Sequence, residues 1–207
     1  MTLKIAYFQP IIMAMDQIPS NEFSKMFSLT TDLHNRPELH DSDNPFLNIR
    51  GGQQIQLYPN TLNIDVSWLV QYIESVCESY MGLASAQSGT SDLTHCKPMV
   101  ISIWTVRQGP GQYQEMHSHA AGNLSGNLYI QVPELATTSQ PSDGQILFRM
   151  PQSKDVTKFI LNDTWKNTPQ AGNIVVFPSF VPHTVYPWQG TGFRTVIGFD
   201  AILRPKE

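Results

Sequence analysis

Apolar residues near the start of the chain recur at helical spacing and predict a first helix. It is expected to begin at Ser20, a residue type that caps helix N-termini, and to run to about Leu33. Phe23, Met26 and Phe27 fall on the same face as Leu33. The pattern therefore indicates an amphipathic helix with one face against the core.

A second helix is predicted where Leu69, Ile73, Val76 and Tyr80 recur at the same spacing. Gly82 follows, and glycine readily adopts the left-handed conformation that ends many helices. We therefore expect this helix to end at Gly82.

The segments on either side of the second helix show neither helical nor strand periodicity and are predicted to be loops. Residues 36–52 are rich in Asn, Asp, Pro and Gly, and residues 84–94 are small and polar. Over the wider ranges 36–60 and 82–97, such loops could form a lid or a wall that selects the substrate.

After about residue 97 the pattern changes to short β runs. They are rich in Ile, Val, Phe and Tyr and are separated by Gly, Pro or Ser. The predicted strands are Val100–Val106, Leu124–Val132, Gln145–Arg149, Asn173–Phe177 and Phe193–Phe199. Helices followed by at least five short strands indicate helices packed on a β-sandwich or jelly roll.

This pattern predicts one domain over residues 1–207. Its helical and strand support region spans about 1–97, and its jelly-roll core spans about 98–204. The run Ile5–Met15 is interpreted as an early strand rather than a signal peptide, because Gln9 and Pro10 interrupt it.

Composition and charge narrow the function classes. Charged residues make up 14% of the chain and the net charge is −4, with no basic run, which is atypical of a nucleic-acid-binding protein. No apolar stretch is long enough to span a membrane. Two cysteines do not make a disulfide framework, and Cys77 is expected to be a buried thiol. We therefore expect a cytoplasmic protein with a small-molecule or peptide substrate.

The first candidate for chemistry is the run that contains Glu115, His117 and His119. In an extended strand these three side chains would project from one face, and two imidazoles so placed can bind one metal ion. An isolated His-x-His pair is more often exposed and incidental. Here the pair follows a Gly-Pro-Gly loop and precedes a strand, and sites are commonly built at such edges.

A third histidine follows a strand and two prolines. Pro178 and Pro182 stiffen the turn before His183, which lowers the entropy cost of fixing that side chain. Combined with the upstream pair, His183 is predicted to be a third metal ligand.

An arginine lies in an apolar strand shortly after His183. Burying Arg194 is costly without an anionic partner, so it either faces solvent, pairs with a structural carboxylate, or binds a ligand carboxylate through its two-pronged guanidinium. Tyr129, Trp104 and Trp188 are expected by residue type to be packing residues.

Taken in order, these motifs resemble a known family. His-x-His, the run Leu124–Pro133, a Gly-x5-Pro turn, His183 and Arg194 are similar to the iron(II)- and 2-oxoglutarate-dependent oxygenases. The likeness is greatest to a subfamily known mostly from bacterial and phage genomes. Residues 48–53 also resemble part of the N-terminal half of that subfamily. The resemblance implies a double-stranded β-helix core, Fe(II) as cofactor and 2-oxoglutarate as cosubstrate.

The resemblance also implies roles for individual residues. His117 and His183 match the two iron-binding histidines, Arg194 matches the residue that pairs with the distal carboxylate of 2-oxoglutarate, and Tyr129 matches a tyrosine that often hydrogen-bonds the same carboxylate. Two positions depart from the wider superfamily: His119 replaces an Asp or Glu, and Val196 replaces a common Ser.

Three explanations of His119 stay open at this point. It could be a ligand in a neutral three-histidine set, as the subfamily suggests. Glu115 could supply a carboxylate ligand with His119 behind it, or the site could be inactive. We favour three-histidine ligation by His117, His119 and His183.

The predicted function is oxidative decarboxylation of 2-oxoglutarate, giving succinate and CO2, coupled to hydroxylation of a substrate. One alternative is a cupin-type metal protein such as a 2-oxoglutarate-independent dioxygenase, an isomerase or a sensor. The other is a non-enzymatic structural jelly roll with incidental histidines. A homodimer is plausible for the predicted fold.

Overall fold

Two antiparallel sheets form the body of the protein. The computed structural model describes residues 11–39, 48–59, 62–88, 92–135, 140–149 and 164–206. The helices are α1 (Ser20–His34) and α2 (Ser67–Ser88), with short 3-10 helices at Pro37–Leu39 and Asp92–His95. The strands are β1 (Ala14–Gln17), β2 (Ile49–Arg50), β3 (Gln53–Tyr58), β4 (Cys96–Gln108), β5 (Tyr113–His117), β6 (Leu124–Gln131), β7 (Glu134–Leu135), β8 (Ile146–Arg149), β9 (Thr164–Asn167), β10 (Asn173–Pro178), β11 (His183–Val185), β12 (Gly190–Thr191) and β13 (Arg194–Pro205).

The strand order is that of a double-stranded β-helix, or jelly roll. The larger sheet has the order β1-β10-β6-β13-β4-β3, and the smaller has the order β2-β5-β11-β8-β9. Strands β7 and β12 form a separate pair. The predicted fold class, mainly β with supporting helices near the N-terminus, is confirmed.

One core lies between the larger sheet and the two helices. Met26 and Leu33 of α1 and Leu69, Ile73 and Cys77 of α2 are fully buried in it. Burial of the two helix faces accounts for the position of both helices on the outer side of this sheet.

A second, smaller core fills the space between the two sheets. Alternation along β10 separates the cores: Ile174 and Val176 face the helices, whereas Val175 and Phe177 face the smaller sheet. Phe148 packs on Phe177 across this interior, with ring centroids 4.8 Å apart. The predicted metal site lies at one end of this second core.

The first helix differs from its prediction at two positions. Ser20 is the first helical residue and not its cap, because Pro19 occupies the N-cap and no side chain caps the helix. Phe27 is 45% exposed, so the apolar face is narrower than the spacing suggested.

The second helix continues past Gly82 to Ser88, so the prediction that it ends at Gly82 was wrong. Met81, Ala84 and Ser85, on either side of the glycine, are all buried. Tertiary burial of these residues outweighs the weak intrinsic helix propensity of glycine.

Replacing Gly82 by Ala is expected to stabilise the protein by about 0.5–1 kcal/mol. The added methyl group meets nothing within 4 Å, and it lowers the conformational entropy of the unfolded chain. Gly172→Ala is the matched control. A methyl group there also meets nothing, but the residue has a φ of +88°, so this substitution should destabilise. Urea unfolding of both variants measures the difference; equal effects would contradict the argument.

Structure also occurs in the segments predicted as loops. The range 36–60 contains a 3-10 turn and strands β2 and β3, and the range 84–94 contains the end of α2 and part of a second 3-10 turn. In β3, Ile55 and Leu57 are buried, while Gln54 and Gln56, which alternate with them, are only partly buried. Period-two alternation therefore builds this strand despite its poor β-formers.

The remaining predictions about the fold are simpler. Most of the predicted strand Ile5–Met15 lies outside the described residues, and β1 begins at Ala14. Cys77 is fully buried as expected, and burial raises the pKa of its thiol to about 12. No helix in the described ranges is long and apolar enough to cross a membrane.

Candidate metal centre and the adjoining arginine pocket

Three histidine rings meet at the end of the jelly-roll interior. His117 is the last residue of β5 and His183 the first of β11, and the register of these neighbouring strands pairs the two residues directly. Their ring centroids are 4.3 Å apart. His119 lies just beyond β5, with centroid distances of 5.1 Å to His117 and 5.2 Å to His183.

One nitrogen from each of these rings lies within 4.8 Å of the others, so the cluster could hold a metal ion. Strand pairing fixes two of the three rings. The backbone of His119 is held separately, because its N–H donates to the carbonyl oxygen of Ser179 at 2.9 Å.

In each of the three rings, Nδ1 contacts an oxygen atom of a residue outside the cluster. Nδ1 of His117 lies 2.7 Å from the carbonyl oxygen of Glu115, and Nδ1 of His183 lies 3.0 Å from that of Val181. Nδ1 of His119 lies 3.2 Å from a carboxylate oxygen of Asp200. A carbonyl oxygen only accepts, so Nδ1 of His117 and His183 carries the proton and Nε2 is the atom left to bind a metal.

The other proposed ligand, Glu115, is directed elsewhere. Its Oε1 accepts from Nε of Arg50 at 2.8 Å in a half-exposed ion pair. Strand β5 ends at His117, so the expected alternation of Glu115, His117 and His119 on one strand face does not extend to His119. The structure therefore brings His119, and not Glu115, to the other two histidines.

Burial keeps two of these histidines neutral. Desolvation, with a smaller contribution from the nearby His117, lowers the pKa of His183 to about 3. Desolvation also lowers the pKa of His117. Neutral imidazoles bind a metal without first losing a proton.

The metal-free protein is therefore expected to lose stability as the pH falls from about 6.5 towards 3. In that window the unfolded chain takes up a proton at His183 and the folded chain does not, so the equilibrium shifts towards unfolding. The free energy of urea unfolding at pH 7.5 and 5 measures this. The variant His183→Gln should show a smaller pH dependence; an equal dependence would contradict the assignment.

Arg194 begins β13 and is almost completely buried. Its Nη2 donates to Oε1 of Gln108 and its Nη1 to the carbonyl oxygen of Gly144 at 3.3 Å, and its guanidinium lies 5.0 Å from the Trp188 ring. No carboxylate of the described residues lies within 4 Å of it. Burial lowers the pKa of Arg194 to about 10.

Tyr129 lines the same small cavity as Arg194. Burial raises the pKa of its hydroxyl to about 12, with a smaller opposing effect of the Arg194 charge. Asn167 is close enough to lower that pKa slightly, but neither the hydroxyl nor Nδ2 of Asn167 makes a well-formed hydrogen bond. A buried guanidinium with no carboxylate near it, and a buried hydroxyl with no hydrogen-bond partner, both counted over the described part of the chain, suit a ligand carboxylate.

Gln114 connects the two parts of the site. Its side chain lines the cavity of about 20 Å³ beside Arg194 and also the open pocket of about 200 Å³ beside His117. Its Nε2 lies 3.4 Å from Nε2 of His117. The arginine cavity and the histidine cluster are therefore neighbours.

Several residues here were missed by sequence reasoning. Gln108, Gln114 and Asp200 contact the predicted site residues but belong to no motif. Trp104 and Trp188, expected only to pack, stack on His119 and on Arg194. Trp104 fits against its strand partner Gly198, where a Cβ would lie 2.6 Å from the indole.

Comparisons with solved structures show the same fold. A Pseudomonas putida prolyl-4-hydroxylase is 20% identical, with a TM-score of 0.57 and coverage of 91% of both chains. A Trichoplax adhaerens prolyl hydroxylase, solved with a hypoxia inducible factor peptide fragment, is 14% identical, with a TM-score of 0.62 and coverage of 91% and 82%. HygX from Streptomyces hygroscopicus, solved with nickel, 2-oxoglutarate and hygromycin B, is 8% identical, with a TM-score of 0.51 and coverage of 92% and 82%.

Sequence comparison shows which family the second half of the chain is similar to. No curated protein shows significant similarity to the chain. Residues 102–200, which include all three histidines, Tyr129 and Arg194, match the family described as "Putative 2OG-Fe(II) oxygenase". Through these residues this segment is similar to the 2OG-Fe(II) oxygenases, an oxidoreductase enzyme family that uses Fe(II) and 2-oxoglutarate.

Proposed function

We propose that the protein is a non-haem iron oxygenase that couples oxidative decarboxylation of 2-oxoglutarate to hydroxylation of a substrate. His117, His119 and His183 would hold Fe(II). The observation that carries this proposal is the convergence of three imidazoles whose Nδ1 atoms are all engaged outside the cluster. Imidazole nitrogen is an established ligand type for iron.

The second part of the proposal concerns Arg194 and Tyr129. Arg194 would bind the distal carboxylate of 2-oxoglutarate through charge-assisted hydrogen bonds, and the Tyr129 hydroxyl would donate to the same group. The adjoining cavity of about 20 Å³ holds roughly one water molecule. Binding would therefore require the Gln108 carboxamide to move off the guanidinium.

When bound, Fe(II) and 2-oxoglutarate supply the oxidant, with succinate and CO2 as co-products. The protein's own contribution is position. Strand pairing sets His117 against His183, and the buried Arg194 would hold the distal carboxylate of the cosubstrate in a fixed position.

We propose a neutral, polar substrate, either a small molecule or a peptide. Among the described residues that line the open pocket of about 200 Å³ beside the histidines, none is Asp, Glu, Lys or Arg. It is lined by Asn48, Gln54, Gln56, Ser102, Trp104, Gln114, His117, Ser118 and His119. Carboxamides and hydroxyls both donate and accept hydrogen bonds, which suits amide or hydroxyl groups. The cytoplasmic location and a homodimer stay predictions.

The test of this proposal is anaerobic addition of Fe(II) and 2-oxoglutarate to the purified protein without a His-tag. We expect a visible charge-transfer band, followed by succinate formation on admission of O2. If the protein binds Fe(II) but shows neither the band nor succinate formation, it is not a 2-oxoglutarate oxygenase. That result would favour the cupin-type alternative. A protein that binds no metal would favour the structural jelly roll.

A further inference from the structure

A buried aspartate lies directly behind one of the three histidines. Asp200 is 8% exposed and lies on β13, the central strand that pairs with both β4 and β6. Nδ1 of His119 is 3.1 Å from Oδ1 and 3.2 Å from Oδ2 of this residue. Among the described residues, Asp200 is the one carboxylate in contact with a ring of the cluster.

Hydrogen bonds fix the aspartate from its other side. The Ser125 hydroxyl lies 2.6 Å from Oδ1 of Asp200 and 2.8 Å from Oγ of Ser179. The backbone carbonyl of Ser179 accepts from the N–H of His119. Both the ring and the backbone of His119 are therefore tied to one buried polar cluster, formed by Ser125, Ser179 and Asp200.

His119 needs this group more than the other two histidines do. His117 and His183 lie on paired strands, and their Nδ1 atoms face carbonyl oxygens of residues two positions away. His119 lies in the turn after β5, where no ladder hydrogen bond holds it, and its ring is held by stacking on Trp104 and by Asp200.

We propose that Asp200 is a positioning residue for the metal site: it accepts a hydrogen bond from Nδ1 of His119, directs Nε2 towards the cluster, and places one negative charge behind a neutral ligand set. This inference rests on the proposed metal site and deepens it. A carboxylate that accepts from a ligating histidine fixes the ring and strengthens it as a ligand. A charge-assisted hydrogen bond of this kind is roughly twice as strong as a neutral one.

The test is Asp200→Asn, which keeps the size of the side chain and removes its charge. Binding of Co(II) alone is measured by titration against a chelator, with no 2-oxoglutarate or turnover required. We expect affinity to fall about 10- to 100-fold, the usual effect of losing such a partner. The visible spectrum of bound Co(II) should also change, which a purely structural role would not cause.

Two further variants make the test decisive. Thr195→Val removes another buried polar contact of β13, 3.3 Å from Gln131, without touching a histidine, and should bind Co(II) as the wild type does. Ser125→Ala keeps the Asp200 carboxylate but removes the hydrogen bond that holds it, and should weaken Co(II) binding less than Asp200→Asn. If Asp200→Asn does not fold, Ser125→Ala takes its place as the test.

The outcomes separate the two proposals. If Asp200→Asn and Ser125→Ala both bind Co(II) within about threefold of the wild type, Asp200 has no positioning role. If Thr195→Val weakens binding as much as they do, the effect is general and the inference is also overturned. If Asp200→Asn alone loses affinity while the wild type makes no succinate, Asp200 keeps its role and the oxygenase proposal fails.

Discussion

Replacing His183 by Gln is expected to weaken Fe(II) and Co(II) binding by at least about 100-fold, more than the loss of a partner behind a ligand. Two imidazoles would remain, and the buried one that the strand pairing sets directly opposite His117 would be gone. Chelator competition with Co(II), under anaerobic conditions for Fe(II), measures the loss. Gln is chosen over Ala because it avoids a large cavity next to Phe148 and Phe177.

The control for this experiment is His95→Gln. His95 is an exposed histidine in the 3-10 turn before β4, away from the cluster, and its removal should leave metal affinity unchanged. Equal affinity of the His183 variant and the wild type would show that the metal is bound elsewhere, and would overturn the three-histidine assignment.

Replacing Arg194 by Gln is expected to reduce 2-oxoglutarate binding about 100-fold or more while metal affinity stays within about threefold. Two charge-assisted hydrogen bonds to a carboxylate contribute about 3 kcal/mol or more, and each 1.4 kcal/mol corresponds to a factor of ten. The charge-transfer band of the Fe(II) complex, titrated with 2-oxoglutarate, reports the cosubstrate, and Co(II) binding reports the metal site.

Arg204→Gln is the matched control for the arginine, because Arg204 lies on the same strand, β13, but is exposed. It should bind 2-oxoglutarate as the wild type does. Urea unfolding of both variants checks that the change at residue 194 is not one of folding. Loss of metal binding in the Arg194 variant, or unchanged 2-oxoglutarate binding, would each contradict the proposed division of roles.

Local sequence patterns predicted the parts of the site that adjacent residues define. His117 and His119 are two positions apart, and His183 follows a proline-stiffened turn, so their types and spacing were visible along the chain. Arg194 stood out because a cation in an apolar strand needs a partner. The structure brings the three histidines together and buries Arg194 beside Tyr129.

The parts that sequence reasoning missed depend on strand register. Asp200 meets His119 across 81 positions, next to a register shift between Asp200 and Ala201 that no local pattern signals. Gln114 reaches both pockets because β5 pairs with β11 around a second irregularity. Glutamines and aspartates in strands carry no periodic signal, so their contacts follow only from the assembled sheets.

The direct pairing of His117 with His183 has a consequence for folding. A metal ion bound to both would act as a cross-link between two distant chain segments and close the loop that contains β6 to β10. Such a clip removes conformations available to the unfolded chain, much as a disulfide does. Metal at 100 times its dissociation constant would add about 2.7 kcal/mol of stability. The melting temperature of this protein would then report how much metal each preparation carries.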